Sequence, residues 1–160
     1  MKPSAGCRAI IKRFEGKSNK AYRVEYKTKD SKGNTKIVYD CKYYTIGYGH
    51  CGIDVKADDW WTDDKCEQVL QSDLEKFSES LNKILDDNHI TLNQNQFDAL
   101  VSFVYNIGIG NFQKSTMFKL LADGDFVGAA VQFGKWVYDG GVVRKGLVER
   151  RKQERNLFEL

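Results

Sequence analysis

The sequence predicts an α+β fold, with a small β-rich lobe over about residues 17–60 and a larger, mainly helical lobe over about 61–160, preceded by a first helix at 4–15. Two changes of texture predict it. Between Lys20 and Gly49 the chain is rich in Tyr, Val, Thr and Ile and is broken by Asp30-Ser31-Lys32-Gly33-Asn34, the pattern of two long strands and a polar turn. From Thr62 onward, apolar residues recur instead at three- and four-residue steps. A chain of 160 residues, 41% hydrophobic and 29% charged, can bury a core without help from metal or disulfide. Its single proline and lack of low-complexity tracts exclude a fibrous, disordered or linker-joined protein.

Each element has its own signal. Ala9, Ile10, Ile11 and Phe14 fit a first helix that ends at Glu15, where Gly16 is the stop. Thr62 is an N-cap followed by Asp63 and Asp64, and Cys66, Leu70, Leu74, Phe77, Leu81 and Leu85 form the stripe of a long amphipathic helix. A second long helix begins near Thr91, carries Phe97, Leu100, Val101, Val104 and Tyr105 on one side, and ends at Gly108-Ile109-Gly110. Shorter helices fit 116–122, 125–135 and 147–158. There is no internal repeat.

The formal net charge of +3 favours an acidic polymer as partner, without the dense Lys/Arg stripe of a nucleic-acid binder. No apolar run approaches the roughly 18 residues of a membrane span. Near the N-terminus, Ala9, Ile10 and Ile11 are enclosed by Arg8, Lys12 and Arg13, which is not a signal-peptide core. The expectation is a chain that neither inserts stably in a membrane nor exports itself. Cys7, Cys41, Cys51 and Cys66 match no CxxC or zinc spacing and are expected to be reduced, mostly buried thiols. Two distant histidines, His50 and His89, argue against a metal site, and no cofactor is expected.

Glu15 ends the first helix, where the backbone dipole disfavours negative charge and so favours a protonated carboxyl able to donate to a leaving oxygen. Further on, Gly47 and Gly49 flank Tyr48, so the backbone bends and the polar groups of Thr45, Tyr48 and His50 share one wall. The plainer readings are a surface glutamate and a bulged turn.

Phe14-Glu15-Gly16, Ala21-Tyr22 and Thr45-Ile46-Gly47-Tyr48-Gly49-His50 resemble the N-terminal signature of the phage-type lysozymes, endolysins that hydrolyse bacterial peptidoglycan. The resemblance continues through Phe97 to Gly108, Gly110-Asn111-Phe112, Ser115-Thr116, Trp136-Val137-Tyr138, Gly140-Gly141, Gly146-Leu147, and Arg150-Arg151 with Glu154. It implies one lysozyme-like domain over 1–160, an active-site cleft between the two lobes, and cleavage of the β-1,4 bond between N-acetylmuramic acid and N-acetylglucosamine. The family's catalytic set is a Glu, an Asp or Cys, and a Thr. Glu15 and Thr45 match its ends, but Val24 and Tyr39 occupy the positions that the family's spacing assigns to the middle residue. The interval is too long, which fits an insertion around Lys27 to Lys36 that extends the hairpin.

Asp40, Cys41 and Glu25 are the alternatives for the middle role, as is no residue at all. Strand parity with Thr45 favours Cys41, whereas an ionised carboxylate stabilises positive charge and activates water better than a thiol, which favours Asp40. The catalytic set is therefore read as Glu15, Asp40 and Thr45, with Tyr48, His50, Cys41, Arg150 and Arg151 binding or supporting. The resemblance sets one of the two arginines against the catalytic Glu, while the residues alone read as an exposed helical face paired with Glu149 and Glu154. His50 is expected to make a structural hydrogen bond and His89 to lie at the surface or in a cap. Trp60, Trp61 and Trp136 could stack on sugars, with a core role favoured for Trp136.

As partner the resemblance implies peptidoglycan glycan strands, with no nucleic acid. It further implies a monomer of phage origin, made in the host cytoplasm, that reaches the wall through a holin lesion. The competing readings are a catalytically impaired wall-binding protein on the same scaffold, a lytic transglycosylase and, on charge alone, a nucleic-acid binder.

Overall fold

The computed structural model describes residues 1–39 and 41–160, so Asp40 lies outside the described residues. The helical content begins with α1, Ala5–Glu15, whose Cys7 and Ile11 are buried. The described residues divide into two compact units, Met1–Phe14 with Asp73–Leu160, and Glu15–Ser72. The chain passes between them inside helices, at the end of α1 and within α2, Asp63–Asp87.

The helical unit is organised around α3, Gln94–Ile107. Its N-cap is Asn93, which accepts from the Gln96 backbone N–H while the Gln96 side chain accepts from the Asn93 N–H. This reciprocal cap sets the start two turn residues later than Thr91. Every residue from Phe97 to Val104 is buried, so this stretch of α3 is covered all round where the sequence suggested one face. Such a helix needs neighbours on all sides. One is α7, Lys145–Phe158, which packs along it. Asp98 is also buried, and its Oδ1 accepts from the Ser4 N–H at 3.0 Å and from the Gln94 amide at 2.9 Å.

The segment after α3 is helical rather than a turn: α4 spans Ile109–Lys114. Ser115 then caps α5, Thr116–Ala122, and Asp125 caps α6, Phe126–Gln132, which runs on into a 3-10 turn at Phe133–Lys135. Phe133 sits edge-on to Phe103 and Phe158 in the core. His89, exposed and at φ 57°, closes the turn after α2.

Among the described residues of the second unit, the expected two long strands are five short ones. β1, Ser18–Tyr22, pairs with β4, Thr45–Gly47, and β4 pairs with β5, His50–Cys51. β2, Glu25–Lys29, and β3, Thr35–Tyr39, form a separate two-stranded ribbon. The register between β1 and β4 shifts between Ser18 and Tyr22, which ends the first ladder before the ribbon begins. All ten ribbon residues are exposed, because neither of its faces is consistently apolar. Between its strands lies a small apolar cluster, Ala21, Ile46 and Val55, with Tyr44 and Trp61 packed against it. A last strand pair, β6 (Tyr138–Asp139) and β7 (Val142–Val143), turns at Gly140-Gly141 in the helical unit.

Candidate active site

Glu15, Thr45, Tyr48, His50 and Cys41 all belong to the unit Glu15–Ser72, and all five are half-buried. Glu15 is the last residue of α1, and its carboxylate lies against the backbone of Gly49. A Cβ at Gly49 would stand 3.3 Å from Glu15 Oε2. Gly49 also has φ +84°, a left-handed conformation that favours glycine, and an added Cβ there would press on the Glu15 carboxylate. Gly47, at φ +66°, makes the other bend, with the Trp61 ring 3.5 Å from where its Cβ would be. The two glycines thus turn the chain between β4 and β5 and bring that turn up to the end of α1.

Thr45 opens β4, opposite Tyr22 on one side and Cys51 on the other. The Tyr48 hydroxyl donates to Glu67 Oε1 at 2.8 Å. Burial, reinforced by that carboxylate, pushes the Tyr48 hydroxyl up to about 12. His50 Nε2 lies 3.2 Å from the Asp54 carboxylate, and its ring is 5.5 Å from Trp61. Trp60 is 65% exposed, Trp61 is half-buried against the small core, and Trp136 sits edge-on to Phe103 at 5.8 Å.

The cysteines correct the expectation of four reduced thiols. Cys41 and Cys51 form a disulfide, with Cα atoms 6.7 Å apart, across a turn that brings the two residues together. Cys41 therefore has no thiol to offer as the middle residue. Cys7 and Cys66 are free and buried, as expected, and burial pushes the Cys7 thiol up to about 12. Glu25 is exposed on the ribbon opposite Tyr39, and Asp40 falls outside the described residues.

Arg150 and Arg151 overturn the reading of an exposed helical face: they are 2% and 1% exposed. Both bind Glu154, which is fully buried, at 3.0 Å and 3.2 Å. Arg150 also donates to the Ser102 carbonyl and Arg151 to Asn106 Oδ1, while the Ser102 hydroxyl donates to Glu154 at 2.7 Å. Burial raises the Glu154 carboxyl above the usual carboxylate range, against the downward pull of Arg151 and Arg150. The Arg150 guanidinium lies 5.9 Å from the Phe14 ring, next in sequence to Glu15. Sequence reasoning missed Glu154 as the centre of this cluster. The available signals were its i,i+3 and i,i+4 spacing from two arginines and the polar Ser102 and Asn106 inside an apolar helix.

A second residue passed over was Arg23. Its guanidinium lies 3.8 Å from the Tyr39 ring and 5.1 Å from the Tyr44 ring, and donates to the Lys42 carbonyl at 2.8 Å. It ties the base of the ribbon to the segment that leads into Thr45.

The phage lysozyme family model matches residues 12–154. An endolysin of Bacillus phage B103 is 44% identical over 93% of this chain and 51% of its own, so the chain spans about half the length of the first curated relatives that it matches. Among solved structures, the muramidase domain of SpmX from Asticaccaulis excentricus superposes with a TM-score of 0.78 at 31% identity, covering 99% of this chain and 98% of that one. An endolysin from Escherichia coli O157:H7 phage FAHEc1 has a TM-score of 0.74 at 36% identity, covering 99% and 93%. With the α+β architecture and the Glu15 and Gly47-Tyr48-Gly49 geometry in place, these matches show that the chain belongs to the phage lysozyme family.

Proposed function

We propose that this chain is a peptidoglycan hydrolase, an endolysin that cleaves the β-1,4 bond between N-acetylmuramic acid and N-acetylglucosamine and so lyses the bacterial host. The observation that carries the reading is the Glu15 carboxyl at the end of α1, lying on the bare backbone of Gly49 in the unit that also holds Thr45. Protonated Glu15 delivers its proton to the glycosidic oxygen as the sugar gains oxocarbenium character. Asp40 stabilises that charge or activates a water held by Thr45. Tyr48, bound to Glu67, and His50, bound to Asp54, stiffen the turn that carries Gly49. Arg150 and Arg151 act as supports through Glu154 and the helix they fasten.

Glu15→Gln should lower the release of reducing ends from purified sacculi by about 10²-fold or more while leaving the circular dichroism unchanged; retained activity would sink the reading. Mass spectrometry of the muropeptides released by the wild type, by Asp40→Asn and by Cys41→Ser identifies the bond cut and the middle residue. A terminal 1,6-anhydro sugar would mark a lytic transglycosylase instead. Binding to sacculi with no cleavage would mark an impaired wall-binding protein.

The finer points rest on family membership. They are action as a monomer on the periplasmic murein, after synthesis in the host cytoplasm, through a membrane lesion made by a holin. Among the described residues no helix is long and apolar enough to cross a membrane. Lysis that is timed by co-expression of a holin, and absent without it, tests this route.

A further inference from the structure

The ribbon of β2 and β3 is unused by the reaction just described, and it holds the charge excess of the whole chain. Residues 23–42 contain six basic and three acidic residues, a surplus equal to the net charge of +3 over all 160 residues. Among the described residues, Lys27, Lys29, Lys32 and Lys36 take part in no ion pair. Across the ribbon Lys27 faces Ile37, Lys29 faces Thr35 and Lys36 faces Thr28, so no carboxylate stands opposite a strand lysine. Ile37 is 50% exposed, Tyr26 41% and Val38 39%.

The ribbon is also pre-shaped at both ends. At its tip, Asp30 Oδ1 accepts from the backbone N–H groups of Lys32 and Asn34 at 2.8 and 2.9 Å, and Gly33 takes φ +83°. At its base, Arg23 is stacked on Tyr39. A cationic surface held in this way loses little conformational freedom when it binds.

The pattern of the two faces selects the partner. One face carries Glu25, Lys27, Lys29, Thr35, Ile37 and Tyr39, and the other Tyr26, Thr28, Lys36 and Val38. Each mixes cations with aliphatic and aromatic surface. An element that lies in a lipid interface instead gathers its apolar residues on one side. Mixed faces suit a polymer that alternates carboxylates with alkyl and sugar surfaces.

We propose that the exposed β2–β3 ribbon is a docking arm for the acidic, carboxylate-bearing peptide stems of the wall glycan, with Lys27, Lys29, Lys32 and Lys36 binding the carboxylates and Tyr26 and Ile37 covering the adjoining apolar surface. This rests on peptidoglycan being the substrate and adds a second contact, made by residues outside the catalytic set, that holds the polymer rather than cuts it.

The test is co-sedimentation of the full chain with purified sacculi freed of lipid and of other anionic polymers, and with the same sacculi stripped of stems by an amidase. The combined Lys27→Gln, Lys29→Gln, Lys32→Gln and Lys36→Gln variant should bind intact sacculi about tenfold more weakly, the sum of four exposed charge contacts of ordinary size. Its cleavage of short, stem-free glycan should equal that of the wild type. The four Lys→Arg changes should retain binding, which separates charge from folding. Stripping the stems should weaken the wild type as much as removing the lysines does. Equal binding by the Gln variant and the wild type overturns the proposal, as does equal binding to stripped sacculi. Lysine-dependent capture by phosphatidylglycerol vesicles but not by sacculi also overturns it, in favour of a membrane. Lysine-dependent and stem-dependent sedimentation without any release of reducing ends supports the docking arm and overturns only the hydrolytic reading.

Discussion

In the helical unit, Arg150, Arg151 and Glu154 are 2%, 1% and 0% exposed, whereas the lysines and Asp30 of the ribbon stand in water. Both regions are rich in charge. Burial makes them different devices. A charge within the α3 and α7 packing has lost its water, so each group depends on its partners, and removing one leaves the others desolvated and uncompensated. On the ribbon, water replaces any partner that is lost, and the charges remain available to something outside the chain. The helical cluster therefore specifies structure, and the ribbon is free for recognition.

Four measurements test that contrast, in order of expected size. Glu154→Ala should destabilise the protein by about 3–5 kcal/mol, since two buried guanidinium groups lose their carboxylate. Urea unfolding measures it, and a loss below about 1 kcal/mol would remove the distinction between the two regions.

In the second unit a covalent link supplements the small apolar cluster of Ala21, Ile46 and Val55. Closing the loop from Cys41 to Cys51 should contribute about 2–3 kcal/mol through restriction of the unfolded chain. The paired Cys41→Ser and Cys51→Ser variant, unfolded beside the oxidised wild type, should show that difference. An unchanged midpoint would mean that the link does not hold the unit together.

Gly49→Ala should cost about 1–2 kcal/mol from the left-handed backbone alone. The new methyl also meets the Glu15 carboxylate. Release of reducing ends should therefore fall by more than the stability change accounts for, and parallel losses would contradict the placement of Glu15 on that turn.

The smallest global effect is expected at Asp30. The backbone N–H of Asn34, with further donors from the same turn, holds its carboxyl below the usual carboxylate value. The sign follows from that depression. The contribution is present above the unfolded value of about 3.9 and is lost as pH falls through the lower folded one. Amide exchange in residues 25–39 should quicken over that acid range, and Asp30→Ala should quicken it at neutral pH, with little change in global Tm. A large fall in Tm would show that the ribbon supports the fold.

Much of the chain's local structure was legible because local rules govern it. The helix over 116–122 has the bounds that its apolar spacing predicted, with Ser115 as its cap. The turn at Asp30-Ser31-Lys32-Gly33-Asn34 closes as its residues suggested. Glu15 ends its helix at Gly16, and Gly47 and Gly49 both take the positive φ that a sharp bend requires. Where two local signals competed, the boundary moved: Asn93 with Gln96 won over Thr91 as the start of α3.

Burial was not legible in the same way. A residue's spacing gives the side of a helix it occupies but not what covers that side. Arg150 and Arg151 read as surface residues until α3 packs along α7 and sets Ser102 and Asn106 against them. Cys41 and Cys51 likewise form a pair only once a turn brings residues ten apart to 6.7 Å. By itself the sequence determined the fold class, the main helices, the family and the Glu15 and Gly49 signature, because these depend on residue type and near-neighbour spacing. Only the tertiary structure decided which charges are buried, which cysteines are joined and which strands stand alone. Those outcomes follow from contacts between distant segments, whose desolvation and packing no local pattern encodes.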